Sequence, residues 1–241
     1  MLKDAKLADG FERGGNRAHQ PSNRNLRHGL DLGGVRGAAV EGVYLPAWKR
    51  YTGRCYVPVE ESAWRNYPII GSARFLVLIM SGLYGLVEAQ EKIQEYDVHL
   101  TDTHVDSGQS VKSMWSELLT ETIEIYIQQA FRGRKVNIFN LLCDRHYVGA
   151  IQWHELSKEC SVFHLGSPSL EDVELLPSAG TILNYILIDP EKLEHISRDE
   201  EYSIAKFGTP PPGQSDVHVI FDSRFGLSRS DKPLDLPQIP P

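Results

Sequence analysis

Residues 76–97 read LVLIMSGLYGLVEAQEKIQEYD. The apolar run 75–80 empties into Ser81-Gly82-Leu83-Tyr84-Gly85-Leu86, and a polar stretch then leads to Ile93, Tyr96 and Asp97. A short apolar run flanked by a glycine-rich turn reads as a central strand of a parallel sheet. Ligands of open α/β sheets bind beyond the carboxyl ends of such strands. The loop from Ser81 to Asp97 is therefore the first place to look for function.

The rest of the chain sets the bounds. Its 241 residues suit one α/β domain with tails, and 41% hydrophobic with 24% charged residues is a globular composition. A net charge of −7 argues against a general nucleic-acid coat, which works through many basic contacts to phosphates, but leaves room for a local basic cleft. Cys55, Cys143 and Cys160 are odd in number and lack CxxC spacing, so neither a disulfide framework nor a zinc site is expected. A reducing cytoplasm is the simpler compartment. No apolar run approaches a membrane span, and the N-terminus carries no signal-peptide core.

Residues 1–43 form a Gly/Arg-rich leader without hydrophobic periodicity. Over residues 1–40, seven Lys/Arg against four acids leave +3, which suits either a phosphate-touching arm or a solvated leader. Residues 44–225 read as a single α/β domain, and 226–241 as a Pro-rich tail. Within the domain the expected strands are 75–80, 135–143, 161–165, 182–188 and an edge strand at 217–222. The expected helices are a short one opened by Pro46, a long one over 111–131 capped by Ser110, one capped by Asp144 and running through Trp153, and one from Asp189-Pro190 to about 207. Together these predict a mixed, mostly parallel sheet of about five strands flanked by helices.

Three stretches compete for chemistry. Residues 44–56 (YLPAWKRYTGRCY) interleave aromatics with Lys49, Arg50 and Arg54, the ingredients for stacking on bases and holding phosphates. The same aromatics could equally pack on the sheet, since Tyr44, Trp48 and Tyr51 share one helical face. Residues 97–106 are rich in Asp and His, which raises metal ligation, yet they match no metal motif, and a solvated loop is the expectation. Asn140, Asp144 and Tyr147 sit where a strand passes into a helix, which places them at the carboxyl edge of the predicted sheet.

Four stretches in order resemble the YaaA-type peroxide-stress protein family. They are Leu45-Pro46-Ala47 with Tyr51-Thr52-Gly53-Arg54-Cys55-Tyr56; Ser81-Gly82-Leu83-Tyr84-Gly85-Leu86 with Ile93 and Tyr96; Met114-Trp115; and Asn140-Leu141 with Asp144 and Tyr147. The second is the most specific, being similar to the family's SGLYG-L signature and its downstream I-x-x-Y. The chain departs from the family pattern by lacking an S-P-A-K type turn in residues 1–43 and by a mixed-charge 191–207 where the family has a basic helix. The resemblance implies a DNA-binding protein that limits oxidative damage. The SGLYG-like loop is also similar to one in archaeal enzymes that modify 7-deazaguanine in tRNA.

The residue inventory fits that theme. Gly82 and Gly85 let the backbone turn sharply and approach a ligand. Ser81 and the turn's N–H groups can cradle an anion. Tyr84 and Tyr96 offer stacking faces, Asp97 and Asp144 supply carboxylates, and Asn140 can read a base edge. The candidate catalytic set is Asp97, Asn140 and Asp144. The candidate binding set is Lys49, Arg50, Tyr51, Thr52, Gly53, Arg54, Tyr56, Ser81, Gly82, Tyr84, Gly85, Tyr96 and Tyr147. The expected partner is DNA or a ligand containing a nucleobase, with no cofactor and no membrane. The alternatives are a DNA or nucleoside glycosylase-like enzyme and a non-enzymatic protein recruiting partners through its tails. No G-x-S-x-G elbow, H-E-x-x-H or P-loop is present.

Overall fold

A computed structural model describes residues 11–12, 44–67, 75–94, 96–104, 106–156, 160–171 and 173–222. The leader beyond residues 11–12 and the Pro-rich tail, for which partner-recruiting roles were weighed, lie outside the described residues. In chain order the elements begin with β1 (Phe11–Glu12), β2 (Tyr44–Pro46), α1 (Ala47–Arg50), α2 (Glu61–Arg65), β3 (Leu78–Ser81), β4 (Gly85–Glu88), β5 (Lys92–Gln94) and β6 (Thr103–His104). The long α3 (Val111–Phe131) follows, then β7 (Asn137–Asn140), α4 (Arg145–Val148), α5 (Trp153–Leu156) and β8 (Ser161–Gly166). The chain closes with α6 (Leu176–Ile188), a 3-10 turn at Pro190–His195, β9 (Glu201–Ser203), a second at Ile204–Phe207, and β10 (His218–Asp222).

The expected mostly parallel five-strand sheet is not what forms. β7, β8, β10 and β9 make one mixed four-stranded sheet in that order, with β7–β8 parallel and the other two pairings antiparallel. The remaining described strands make two-stranded antiparallel pairs: β1–β6, β2–β5 and β3–β4. β10 is interior to its sheet, between β8 and β9, not at the edge.

Two segments explain the discrepancy. The run 75–80 does not enter a parallel sheet; Leu78–Ser81 reverses through Gly82-Leu83-Tyr84 and pairs back on itself, with Ser81 opposite Gly85. Gly85, at φ +76°, supplies the left-handed conformation the reversal needs. The hairpin is wedged between two apolar clusters: Ile79 and Val87 pack with Trp64 and Leu183, while Met80 packs with Leu119 and Val148. Burial on both faces gives a hairpin the apolar signature of a central parallel strand.

The run 182–188 is the second half of α6, not a strand. Ile182 and Ile186 face one cluster and Leu183 and Leu187 another, each pair at i, i+4. A helix buried on two sides is apolar nearly all round, and over seven residues its sequence cannot be told from a buried strand. Its one polar side chain there, Asn184, accepts a hydrogen bond from the Glu60 backbone N–H at 3.0 Å. Residues 190–207 likewise form two 3-10 turns and β9 instead of one helix.

Other expectations hold. α3 spans 111–131, with the Ser110 hydroxyl accepting from Ser113 N–H at 3.1 Å. Asp144 caps α4 through His146 N–H at 2.7 Å as expected, but the helix expected to run through Trp153 ends at Val148, and Trp153 opens the separate α5. No described helix is long and apolar enough to cross a membrane.

Candidate functional site

The site is assembled by the two short strand pairs. β2 and β5 pair so that Tyr44 lies opposite Gln94 and Leu45 opposite Ile93, and α1 follows β2 directly. Backbone bonds from Ala47 to Glu91 O (2.8 Å) and from Trp48 to Ala89 O (3.1 Å) dock α1 against the loop between β4 and β5. Arg50 and Tyr51 are thereby carried to the end of β5, beside Gln94, Tyr96 and Asp97.

Behind them the SGLYG turn is fixed from both sides. Ser81 Oγ accepts the Tyr84 N–H at 2.9 Å, closing the turn. The Trp115 indole N–H donates to Gly82 O at 2.9 Å, and a Cβ on Gly85 would lie 2.7 Å from the same indole. A Cβ on Gly82 would overlap the Val98 carbonyl oxygen, so the turn and the 96–99 segment touch backbone to backbone. Close approach of protein atoms leaves no room for a Cβ at either glycine.

From the turn a hydroxyl chain runs outward. Ser81 Oγ and Tyr96 Oη are 2.6 Å apart, and Tyr96 Oη and Tyr51 Oη again 2.6 Å. Tyr51 stacks on Tyr56 with centroids 5.7 Å apart, and Tyr96 meets Tyr84 edge-on at 5.4 Å. Burial raises the phenols of Tyr51, Tyr56, Tyr84, Tyr96 and Tyr147 above the ordinary tyrosine value, most strongly Tyr56 and Tyr96. All five are neutral hydrogen-bonding groups at physiological pH.

The chain ends in a cleft of about 240 Å³ lined by Arg50, Tyr51, Gln94, Tyr96, Asp97, Val98, His99 and Tyr147. Arg50 Nε donates to Ile93 O at 3.4 Å. One guanidinium and one carboxylate share the lining with an amide, an imidazole and three neutral phenols. The surroundings are polar and aromatic without a dominant charge.

The sequence-predicted residues divide clearly. Arg50, Tyr51, Tyr96, Asp97 and Tyr147 line the cleft; Ser81, Gly82, Tyr84, Gly85 and Tyr56 build its support. Lys49, Thr52, Gly53 and Arg54 are exposed and outside the lining, with Lys49 Nζ 4.0 Å from Glu61 and 5.0 Å over the Trp48 ring. Asn140 is buried in the four-stranded sheet, its Nδ2 2.8 Å from His164 Nδ1 and its Oδ1 accepting Leu142 N–H at 3.0 Å. Asp144 acts through α4, which it caps and which carries Tyr147 to the cleft.

Gln94, Val98 and His99 are the lining residues that sequence reasoning did not place there. His99 lay in the Asp/His stretch weighed for metal. Much of that stretch holds its own loop: Asp102, fully buried, accepts the His99 N–H at 2.8 Å, and His104 Nδ1 lies 3.1 Å from Ser107 Oγ. Among the described residues, no group of three or more His, Cys, Asp or Glu is placed to hold a metal ion.

No curated protein matches the chain. A family model described as "Peroxide stress protein YaaA" matches residues 14–167, from the leader to just past β8. That span is more than half of the chain and takes in the hairpin, the whole cleft lining and α3. The chain thus belongs to the YaaA peroxide stress protein family.

Proposed function

We propose that this protein binds DNA in the response to oxidative damage, and that its cleft receives a single nucleobase drawn out of the duplex. The observation that carries the proposal is the lining of the cleft. Neutral phenols at three positions offer faces for stacking, and Gln94, Asp97, His99 and Arg50 offer the donors and acceptors that read a base edge. A volume of about 240 Å³ is large enough to admit one base. The near balance of one cation and one carboxylate suits an uncharged heterocycle better than a phosphate.

Backbone contacts then fall to Lys49 and Arg54, which are exposed and close in sequence to the cleft-lining Arg50 and Tyr51. A chain of net charge −7 with so few basic contacts engages few phosphates. The expected salt slope is correspondingly shallow, about −3 or less in magnitude for three neutralised phosphates. Fluorescence anisotropy against labelled duplex across a salt series checks this. Simultaneous replacement of Lys49, Arg50 and Arg54 by Met is expected to weaken binding and flatten the slope; unchanged affinity would remove this face as the DNA contact.

A further inference from the structure

We infer that the cleft also hydrolyses the N-glycosidic bond of the base it receives, with His99 holding the departing base and Asp97 facing the sugar. This rests on the nucleobase proposal above. Asp97 and His99 are two residues apart in the 96–99 segment, and both line the cleft.

His99 is tied to its surroundings at its backbone and at its ring. Its backbone N–H donates to the buried Asp102 carboxylate at 2.8 Å, and Asp102 N–H returns to His99 O at 3.0 Å. Its ring lies edge-on to Tyr147 at 5.1 Å. Its Nδ1 is 2.8 Å from Thr101 Oγ1 and accepts the Thr101 backbone N–H at 3.3 Å. A backbone N–H can only donate, so Nδ1 is unprotonated and the ring proton sits on Nε2. The result is a ring held in one tautomer, with its proton on Nε2, in a residue that lines the cleft. A preorganised donor of this kind stabilises charge that develops on a leaving group.

The chemistry balances with water alone. The C1′–N bond breaks with its electron pair leaving on the base, whose growing negative charge the His99 Nε2–H receives. The Asp97 carboxylate opposes the positive charge that appears on the sugar. Water then adds its hydroxyl to C1′, and its remaining proton ends on the released base. No bond changes oxidation state, and no co-reactant is consumed.

Duplex oligonucleotides carrying a single 8-oxoguanine, uracil or hypoxanthine test the inference, with free base and alkali-labile abasic sites as the readout. Single-turnover rates at saturating protein separate chemistry from affinity. The wild-type protein is expected to release base from at least one of these duplexes. Asp97→Asn and His99→Ala are each expected to slow release by about 100-fold, whereas His99→Gln, which retains a side-chain N–H, keeps a measurable part. In parallel, 2-aminopurine in the duplex reports extrusion by the wild-type protein. Brightening without release from any of the duplexes would overturn hydrolysis and leave base binding standing. Absence of brightening and release together would overturn the base-binding proposal itself. Release at wild-type rate in either Asp97→Asn or His99→Ala would overturn the role given to that residue.

Discussion

Gly82 shows how much a single position carries. Its Cα sits so close to the Val98 carbonyl that any Cβ overlaps it, and backbone cannot swing aside as a side-chain tip can. Gly82→Ala is expected to cost about 2–3 kcal/mol, seen as a lowered denaturation midpoint. Gly53→Ala is the matched control: it lies in an exposed loop with nothing near its Cβ and is expected to change stability little. Glu88 makes a contrasting case. It is 7% exposed, one carboxyl oxygen lacks a hydrogen-bond partner, and burial together with nearby Glu91 raises its pKa. A carboxyl raised in the folded state contributes its stability below the unfolded value, and that contribution is lost as pH rises through the folded one. Glu88→Gln, which still accepts from Tyr126, is therefore expected to stabilise the protein at pH 7 and to lose this advantage on acidification. Thermal melts of both proteins at pH 7 and pH 4 decide it; destabilisation at pH 7 would refute the role given to Glu88. The turn glycines, Ser81 and the tyrosines were legible in the sequence because they stand in short motifs of recognisable spacing. Asn140 was not: its partner, His164, lies on the neighbouring strand, and a capable polar side chain in sequence turned out to be a core hydrogen bond.

At the scale of elements, the β3–β4 hairpin and α3 act as one unit. Trp115 on α3 donates to the carbonyl of Gly82 and fills the space over Gly85. Trp115→Phe leaves that carbonyl without its indole donor and is expected to cost about 1–2 kcal/mol. Hydrogen exchange localises the effect, with faster exchange expected at residues 83–86 and little change in the β7–β10 sheet. Uniform exchange across both regions would mean that the hairpin is not clamped by α3. The sequence announced α3 plainly through its i, i+3, i+4 periodicity and its Ser110 cap. It disguised β3 and α6, since hydrophobic patterning reports how many sides of an element are buried and not what buries them. The β3–β4 hairpin lies between two apolar clusters and α6 between another pair, so both lost the alternation that tells hairpin from central strand and helix from strand.

Across the whole molecule, the mixed four-stranded sheet stands apart from the cleft. Each residue lining the cleft comes from 50–51, 94–99 or 147, and all lie inside the span matched by the family model. What the sequence could not supply was the antiparallel pairing of β2 with β5, which crosses more than forty residues to bring Arg50 and Tyr51 against Tyr96 and Asp97. Five half-buried phenols around the cleft also set an alkaline limit. Tyrosines with raised folded pKa values contribute stability that is full below the unfolded value near 10 and lost as pH rises past it. Stability is expected to fall above about pH 10, less steeply in Tyr96→Phe. Whether the cleft takes a base is most directly tested by comparing the dissociation constant for a duplex holding one mispaired base with that for the same duplex in which that base is replaced by an abasic site. Tighter binding of the mispaired duplex, with the difference lost in Tyr147→Ala, is the predicted result. Equal affinity for the two duplexes would contradict the placement of a base in the cleft.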